Sequence, residues 1–320
     1  MKKIADIFYV SLILILICLV FTELFLYKNL YSKYKNSFEV ANKIHGVNRF
    51  KLKIFSKPET FDIALDELSG NSPELINKKY SGESIIVFGC SYVVSGEIKN
   101  KKDKFCYRLS DEFKRPLLNL SVGGSGTQHI YYFLTHEKYL KNAENPEYII
   151  YVFINDHIRR FYMHQIWNPF ETIENLRYKI KDGKVEKIKP VFFQFWNLYT
   201  IKELQRYISW KYFENTSQED LFLNFVDFMK EIKKVSSKKY PNAKFAILLY
   251  DDKIYDCNKD FINNSDWNLL RKEGFYVFDT KDLTDKDLSD LKYKSDDLYH
   301  PNAKAWKEII PNLVKELKKI

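Results

Sequence analysis

From residue 84 onward, short apolar runs alternate with stretches of helical periodicity. The runs are rich in Ile, Val, Leu, Phe and Tyr and occupy residues 84–88, 117–120, 148–154, 245–250 and 275–278. The helical stretches occupy residues 104–113, 127–140, 219–235, 261–272 and 303–317. Continuous apolar runs are typical of strands buried on both faces, and strands that alternate with helices form βαβ units. The pattern therefore predicts an α/β fold with a central, mostly parallel, five-stranded sheet.

A long apolar segment precedes this region. Residues 7–27 are interrupted only by Ser11, Thr22 and Glu23. At about 1.5 Å per residue, a helix of this length spans roughly 30 Å, the thickness of a bilayer core. The segment is not followed by the small residues of a cleavage site. We expect residues 1–27 to be a single-pass signal anchor in the cell membrane. Lysines on both sides leave the orientation open, and we expect the globular part to lie outside the cytoplasm.

The remaining segments complete the predicted organisation. Residues 28–80 are polar and Lys-rich, which is typical of a stalk, and residues 81–320 form the predicted globular domain. Residues 157–218 interrupt the domain with an insertion rich in aromatic side chains, in which Asp182-Gly183 predicts a β-hairpin. We interpret the insertion either as a packing element or as a lid on which sugar rings stack.

Composition restricts the partners. With 17% aromatic residues the chain is not typical of a disordered protein, and its four cysteines are too few and scattered for a disulfide framework. The net charge of +9 comes from dispersed lysines, without the pattern of an RNA-binding or zinc-finger protein. We therefore expect a basic surface that faces an acidic polymer or lipid, and we expect no nucleic acid partner.

Small and polar residues cluster where predicted strands end and near the close of the domain. Four clusters occupy residues 89–96, 119–128, 155–156 and 296–302. In an open α/β sheet, ligands bind beyond the carboxyl ends of the strands. Each cluster alone is typical of an ordinary turn, where Gly, Ser, Asn and Asp are common. The occurrence of all four in this order predicts a shared site.

Acyl transfer explains the residue types in these clusters. The Ser91 hydroxyl needs a base to become a nucleophile, and His300 supplies an imidazole. Asp297, three residues before His300, is placed to orient the ring, and Asp296 is an alternative. Attack on an acyl carbon creates an oxyanion, which requires fixed hydrogen-bond donors.

Three donors are candidates for that oxyanion hole. They are the backbone N–H groups of Ser91 and Gly124 and the side-chain amide of Asn155. A glycine backbone approaches a ligand closely, which suits Gly124.

Three further residues are candidates for substrate binding. His157 directly follows Asn155-Asp156 and is expected to line the pocket. Arg159 and Arg160 are expected either to bind an anionic group of the substrate or to pair with acids. The histidines lack metal-ligand spacing, so we expect no metal.

The four clusters resemble the motif blocks of the SGNH, or GDSL-type, hydrolase superfamily. Gly89-Cys90-Ser91 with its following glycine resembles the first block, and residues 119–124, 153–156 and 297–302 resemble the others. Two residues depart from the family, since Cys90 stands in place of Asp and Phe153 in place of Gly. The α/β-hydrolase elbow Gly-x-Ser-x-Gly is not matched, because position 93 is Val.

The resemblance implies a flavodoxin-like three-layer α/β/α sandwich. It also implies Ser91 as nucleophile, an Asp297–His300 pair as base, and an oxyanion hole from Ser91, Gly124 and Asn155, with no cofactor. We expect a serine ester hydrolase that removes an O-acyl group, most simply O-acetyl, from a cell-envelope glycan through an acyl-enzyme. An O-acyltransferase acting on the same polymer, a lipid esterase and a non-catalytic envelope scaffold are the alternatives.

Overall fold

The computed structural model describes residues 74–143, 145–162, 178–181, 184–187, 213–251 and 259–320, and the helical residues 11, 14, 17, 18 and 21. Apart from those five positions, the predicted anchor lies outside the described residues, as do most of the predicted stalk and of the insertion. No helix within the described residues is long and apolar enough to cross a membrane. The chain divides into one unit of residues 1–56 and 189–215 and another of residues 57–188 and 216–320. The second unit holds nearly all described residues.

The second unit contains eight described strands. They are β1 (Glu74–Ile76), β2 (Ser84–Phe88), β3 (Leu117–Asn119), β4 (Pro146–Phe153), β5 (Tyr178–Lys181), β6 (Lys184–Lys187), β7 (Lys244–Leu249) and β8 (Tyr276–Asp279). Six of them form one sheet in the order β1-β3-β2-β4-β7-β8. β1 is antiparallel to β3, and all other pairs are parallel.

The α/β fold with a mostly parallel sheet is therefore confirmed, but the sheet has six strands rather than five. The additional strand β1 lies within the range that the sequence analysis assigned to the stalk. It is three residues long, Glu74 pairs with Asn119, and only Ile76 is buried. Such a short edge strand carries too little apolar pattern to be predicted from sequence.

Helices connect the strands. They are α1 (Ser91–Val94), α2 (Phe105–Phe113), α3 (Thr127–Thr135), α4 (Glu137–Leu140), α5 (Asp156–Tyr162), α6 (Gln218–Lys239), α7 (Phe261–Asn264), α8 (Asn268–Lys272), α9 (Thr280–Leu283) and α10 (Ala303–Leu317), with short 3₁₀ helices at Lys101–Asp103 and Leu291–Tyr293. The predicted helix over residues 127–140 is interrupted at His136, which is extended. The Thr135 hydroxyl donates to the carbonyl of Tyr131 at 2.8 Å, a local bond that favours helix ends.

The sheet separates two apolar layers. On one face, α2 and α10 pack together, and Phe105 and Trp306 meet with ring centroids 4.8 Å apart. On the other face lie α3 and α6, where Phe153 of β4 contacts Phe225 at 5.3 Å. Every residue of β2 is buried, because its side chains alternate between the two layers. The result is an α/β/α arrangement.

The order of the strands determines where a ligand can bind. Counted along the chain, the five parallel strands have the order 2-1-3-4-5, which is that of flavodoxin-like sheets. The chain passes from β2 to one neighbour, β3, and then to the other, β4. This reversal opens a crevice at the carboxyl ends of β2 and β4. Two of the predicted clusters directly follow those strands.

The predicted hairpin is confirmed. β5 and β6 pair antiparallel, with Tyr178 opposite Lys187 and Lys181 opposite Lys184. Alternating side chains on both sides of an Asp-Gly pair are a strong local signal, which depends little on the rest of the fold.

Candidate active site

Ser91 begins α1, immediately beyond the carboxyl end of β2. The chain makes this turn through Gly89. A Cβ atom at that position would lie 2.4 Å from Cγ2 of Val93, so a larger residue would force the turn apart. The half-buried Ser91 is thereby presented at the crevice between β2 and β4.

His300 and Asp297 meet Ser91 from the loop before α10. The Nε2 atom of His300 lies 2.7 Å from Oγ of Ser91, although the two residues are 209 positions apart. The Nδ1 atom of His300 is hydrogen-bonded to Oδ2 of Asp297. The side chains of His300 and Asp297 are only 8% and 12% exposed, so this hydrogen-bonded series is largely shielded from water.

The carboxylate of Asp297 is fixed by three groups in all. Besides the imidazole, its Oδ1 atom accepts hydrogen bonds from the backbone N–H groups of Tyr299 at 2.9 Å and His300 at 3.0 Å. Burial raises the pKa of the Asp297 carboxyl, but the hydrogen bonds and positive charge of His300, with those N–H groups, lower it overall. Asp296, the alternative orienting acid, is exposed. Asp297 is therefore the acid that orients the ring.

Asn302 holds the loop that carries this pair. Its Nδ2 donates to the carbonyls of Lys292 at 2.9 Å and Lys294 at 2.7 Å. Its Oδ1 accepts from the backbone N–H groups of Lys304 and Ala305 and so caps α10. One side chain thus connects the start of the loop with the helix that follows it.

The loop with Gly124 is attached to the turn that precedes Ser91. Both the hydroxyl of Ser125, at 2.7 Å, and the backbone N–H of Val122, at 3.1 Å, donate to the carbonyl of Gly89. Gly124 itself has φ of +76°, a conformation that glycine adopts without strain. The structure therefore brings the second predicted cluster against the first.

Asn155 follows β4 and is nearly buried. Its Oδ1 accepts the backbone N–H of Ile262 at 3.0 Å. Because that N–H can only donate, the other atom of the amide is the NH₂ group. Nδ2 lies 3.4 Å from Oδ1 of Asp260. Asp260 and Ile262 at the start of α7 therefore orient this amide, which the sequence analysis did not predict.

Arg159 and Arg160 do not form an open anion-binding surface. Both are buried, and each Nε donates to a different oxygen of Asp156, which is 1% exposed. Burial raises the pKa of the Asp156 carboxyl, but the two guanidinium groups outweigh it and hold the pKa far below its usual range. Of the two predicted interpretations, pairing with an acid is the one observed.

The side chain of Arg160 also reaches residues of the first two clusters. Its Nη1 donates to the carbonyl of Ser125 at 2.7 Å, next to Gly124. It is also a hydrogen-bond partner of Cys90, beside Ser91. Burial raises the pKa of the Cys90 thiol despite this nearby positive charge. The buried Arg160 therefore connects residues of the first three predicted clusters.

The prediction that His157 lines the pocket is wrong. Its side chain is 0% exposed and stacks on Tyr151, with ring centroids 5.4 Å apart, and its Nδ1 lies 2.7 Å from the Tyr151 hydroxyl. Burial holds the pKa of His157 well below its ordinary value. Since α5 begins at Asp156, the helix turns the next side chain back into the core.

Glu97 is a further residue that sequence reasoning missed. One carboxylate oxygen of Glu97, one of Asp297 and one ring nitrogen of His300 lie within 4.8 Å of one another. Both ring nitrogens of His300 already have partners in Asp297 and Ser91. A cation at this point would have to displace one of those contacts, so the arrangement suits proton transfer better than metal binding.

Comparison with known proteins gives likenesses of fold. No protein-family model and no curated protein matches the sequence. A carbohydrate esterase family 2 enzyme with a carbohydrate-binding domain, from Corynascus thermopiles (Myceliophthora fergusii), is 11% identical with a TM-score of 0.43, over 75% of this chain and 67% of that one. A psychrotrophic esterase from Pseudoalteromonas sp. is 12% identical with a TM-score of 0.42, over 74% and 98%.

A third likeness is to phospholipase A1 from Streptomyces albidoflavus. It is 10% identical with a TM-score of 0.41, over 74% of this chain and 99% of that one. All three TM-scores are below 0.5, so these likenesses carry no argument about function. A function for this chain has to be argued from the atoms of its own site.

Proposed function

We propose that this chain is a serine ester hydrolase that removes an O-acyl group, in the simplest case O-acetyl, from a glycan of the cell envelope. The observation that carries the proposal is the hydrogen-bonded series from Asp297 through His300 to Ser91, with 2.7 Å between Nε2 and Oγ. A nucleophile, a base and an acid that orients the base are the parts that acyl transfer to serine requires.

In the acylation step, Nε2 of His300 takes the proton of the Ser91 hydroxyl while Oγ bonds to the acyl carbon. The carboxylate of Asp297 fixes the tautomer and stabilises the imidazolium that forms. His300 then gives its proton to the oxygen of the leaving alcohol, the bond between carbon and that oxygen breaks, and an ester of Ser91 remains.

The oxyanion of the tetrahedral intermediate needs donors that are held before the reaction begins. We assign this role to the backbone N–H groups of Ser91 and Gly124 and to Nδ2 of Asn155. The support is that two of the three are held in place: the Gly124 loop by the carbonyl of Gly89, and the amide of Asn155 by the backbone N–H of Ile262. Losing one such donor typically costs about 10²–10³-fold in kcat.

Deacylation repeats these steps with water. His300 takes a proton from the water as it attacks the acyl-enzyme, and returns it to Oγ of Ser91 as the acid is released. Ser91, His300 and Asp297 thereby return to their starting protonation states, so the residues complete the cycle without a cofactor.

The choice of a glycan and of the envelope depends on the sequence. A net charge of +9 favours an acidic polymer. The predicted anchor at residues 1–27 and the predicted stalk at residues 28–80 would hold the site near the membrane surface. The predicted aromatic insertion offers faces on which sugar rings stack.

The test compares the full-length chain with Ser91→Ala on acetylated polysaccharide and on long-chain esters. We expect acetate release from polysaccharide by the wild type and a loss of about 10⁶-fold in Ser91→Ala. Ser237→Ala, which changes an exposed serine on α6, is the control and should keep full activity.

The remaining outcomes separate the alternatives. Equal rates for wild type and Ser91→Ala would remove Ser91 as the nucleophile. Preference for long-chain esters would favour a lipid esterase, and acyl transfer to a glycan hydroxyl rather than to water would favour an acyltransferase. No turnover together with no labelling by a fluorophosphonate probe would favour a scaffold.

A further inference from the structure

Leu298 has a strained backbone in the middle of the candidate site. It lies between Asp297 and His300, and its φ is +65°. A bulky side chain in this left-handed region is uncommon, because its Cβ approaches the neighbouring carbonyl oxygen. Glycine adopts the same conformation without that strain.

The other non-glycine residues with positive φ among those described have local explanations. Asn77 and Asn145 are of a type that tolerates the conformation. Ser95 and Lys114 end α1 and α2, where a left-handed residue is the usual way to terminate a helix. At Leu298 the conformation closes a turn, in which the Leu298 N–H donates to the Ser295 carbonyl at 2.8 Å. Glycine would close the same turn without strain, so the turn does not account for the leucine side chain.

The side chain of Leu298 also contributes little to the core, since 54% of the residue is exposed. Leu291, at the start of the same loop, is 68% exposed. The strained backbone reduces stability, and the largely exposed side chain buries little apolar surface to offset that cost. Strained residues of this kind concentrate at binding and catalytic sites, where function retains them.

We infer that Leu298 is a substrate contact, an apolar surface that packs against the alcohol portion of the ester; the inference rests on the proposed function. The chemistry of His300 determines which portion of the ester lies near Leu298, because His300 must reach the oxygen of the leaving alcohol to protonate it. The alcohol portion therefore lies beside His300, two residues from Leu298, whereas the oxyanion donors hold the acyl carbonyl. A sugar ring presents an apolar face of C–H groups that suits a leucine side chain.

The experiment measures Leu298→Gly in the full-length chain with two acetates that differ only in the alcohol, an acetylated monosaccharide and methyl acetate. We expect the ratio of kcat/KM, sugar acetate over methyl acetate, to fall roughly ten-fold, the effect of losing a few apolar carbons from a binding pocket. The melting temperature should be unchanged or higher, because glycine relieves the strain. Leu298→Asn keeps the conformation with a polar side chain and should lower the ratio as well.

Lys114→Gly is the matched control. Lys114 has φ of +58° and lies before β3, at the edge of the sheet opposite the site. This variant should keep the wild-type ratio, and its melting temperature should be unchanged or higher.

Two results would overturn the inference while esterase activity persists. One is a wild-type ratio in Leu298→Gly. The other is a melting temperature well below that of the wild type, which would mean that the side chain supports the fold. A wild-type chain without any esterase activity would instead overturn the proposed function.

Discussion

Asp297 holds both the backbone and the ring of His300, and this double contact defines the site at the scale of single residues. One carboxylate oxygen accepts two backbone N–H groups and the other accepts the imidazole. The positive φ of Leu298 turns the chain back tightly enough for Asp297 to contact both the backbone and the ring of His300. Beside Ser91, burial raises the pKa of the Cys90 thiol, which keeps that thiol protonated and a poor nucleophile.

Asp297→Asn is expected to lower kcat by about 10⁴-fold, because an amide does not hold the imidazole in the tautomer that accepts the Ser91 proton. Initial rates on an acetate ester measure this. The control is Asp296→Asn, which changes the neighbouring exposed acid and should leave kcat near that of the wild type. A large loss in Asp296→Asn alone would reverse the assignment of the orienting acid.

At the scale of elements, α5 positions the site through Arg160. The guanidinium joins Asp156 of its own helix to the Ser125 carbonyl and to Cys90. These contacts connect the loops that follow β2, β3 and β4. A buried carboxylate between two arginines also makes this helix sensitive to substitution, because either partner left alone would be a buried, unpaired charge.

Arg160→Lys is expected to lower kcat by roughly ten-fold with little change in KM, since an ammonium group cannot span Asp156 and Ser125 together. The Gly124 loop would then lose one of its supports. Arg159→Lys is the matched control, because Arg159 contacts the other oxygen of Asp156. It should reduce stability but keep kcat, and equal kcat losses in both variants would argue against a positioning role for Arg160.

At the scale of the whole molecule, two buried histidines make the free energy of unfolding depend on pH. Burial lowers the pKa of His129 to about 4 and outweighs a hydrogen bond with Gly126 that raises it, while the positive charge of Arg160 lowers the pKa by a smaller amount. Burial also holds the pKa of His157 well below its ordinary value. Neither ring is close to solvent, so both remain neutral in the folded chain near neutral pH.

We predict that the free energy of unfolding falls as the pH drops from about 6.5 to about 4. In this window the unfolded chain protonates both histidines and the folded chain does not, so each contributes a slope of up to about 1.4 kcal/mol per pH unit. Urea unfolding at pH 7, 6 and 5 measures the slope. His129→Asn should flatten it by about that amount, and an unchanged slope would mean that His129 titrates normally in the folded chain.

Local sequence patterns determined the parts of this protein that depend on near neighbours. The five parallel strands were predictable because each is a continuous apolar run, and β5 and β6 were predictable from Asp-Gly between alternating residues. The loops that carry Ser91, Gly124 and Asn155 were predictable as clusters at strand ends, and the loop of His300 as a cluster that closes the domain. Their catalytic roles, the anchor and the insertion stay predictions.

Only the tertiary structure decided which distant groups meet. Edge strand β1 forms because β3 offers it a partner, and His157 is buried because α5 turns it toward Tyr151. Arg160 joins two loops instead of lying on the surface, because the loop after β3 brings the Ser125 carbonyl to its guanidinium group. Burial and pairing of this kind depend on packing across the sheet, whereas a linear pattern reports only the faces and ends of single elements.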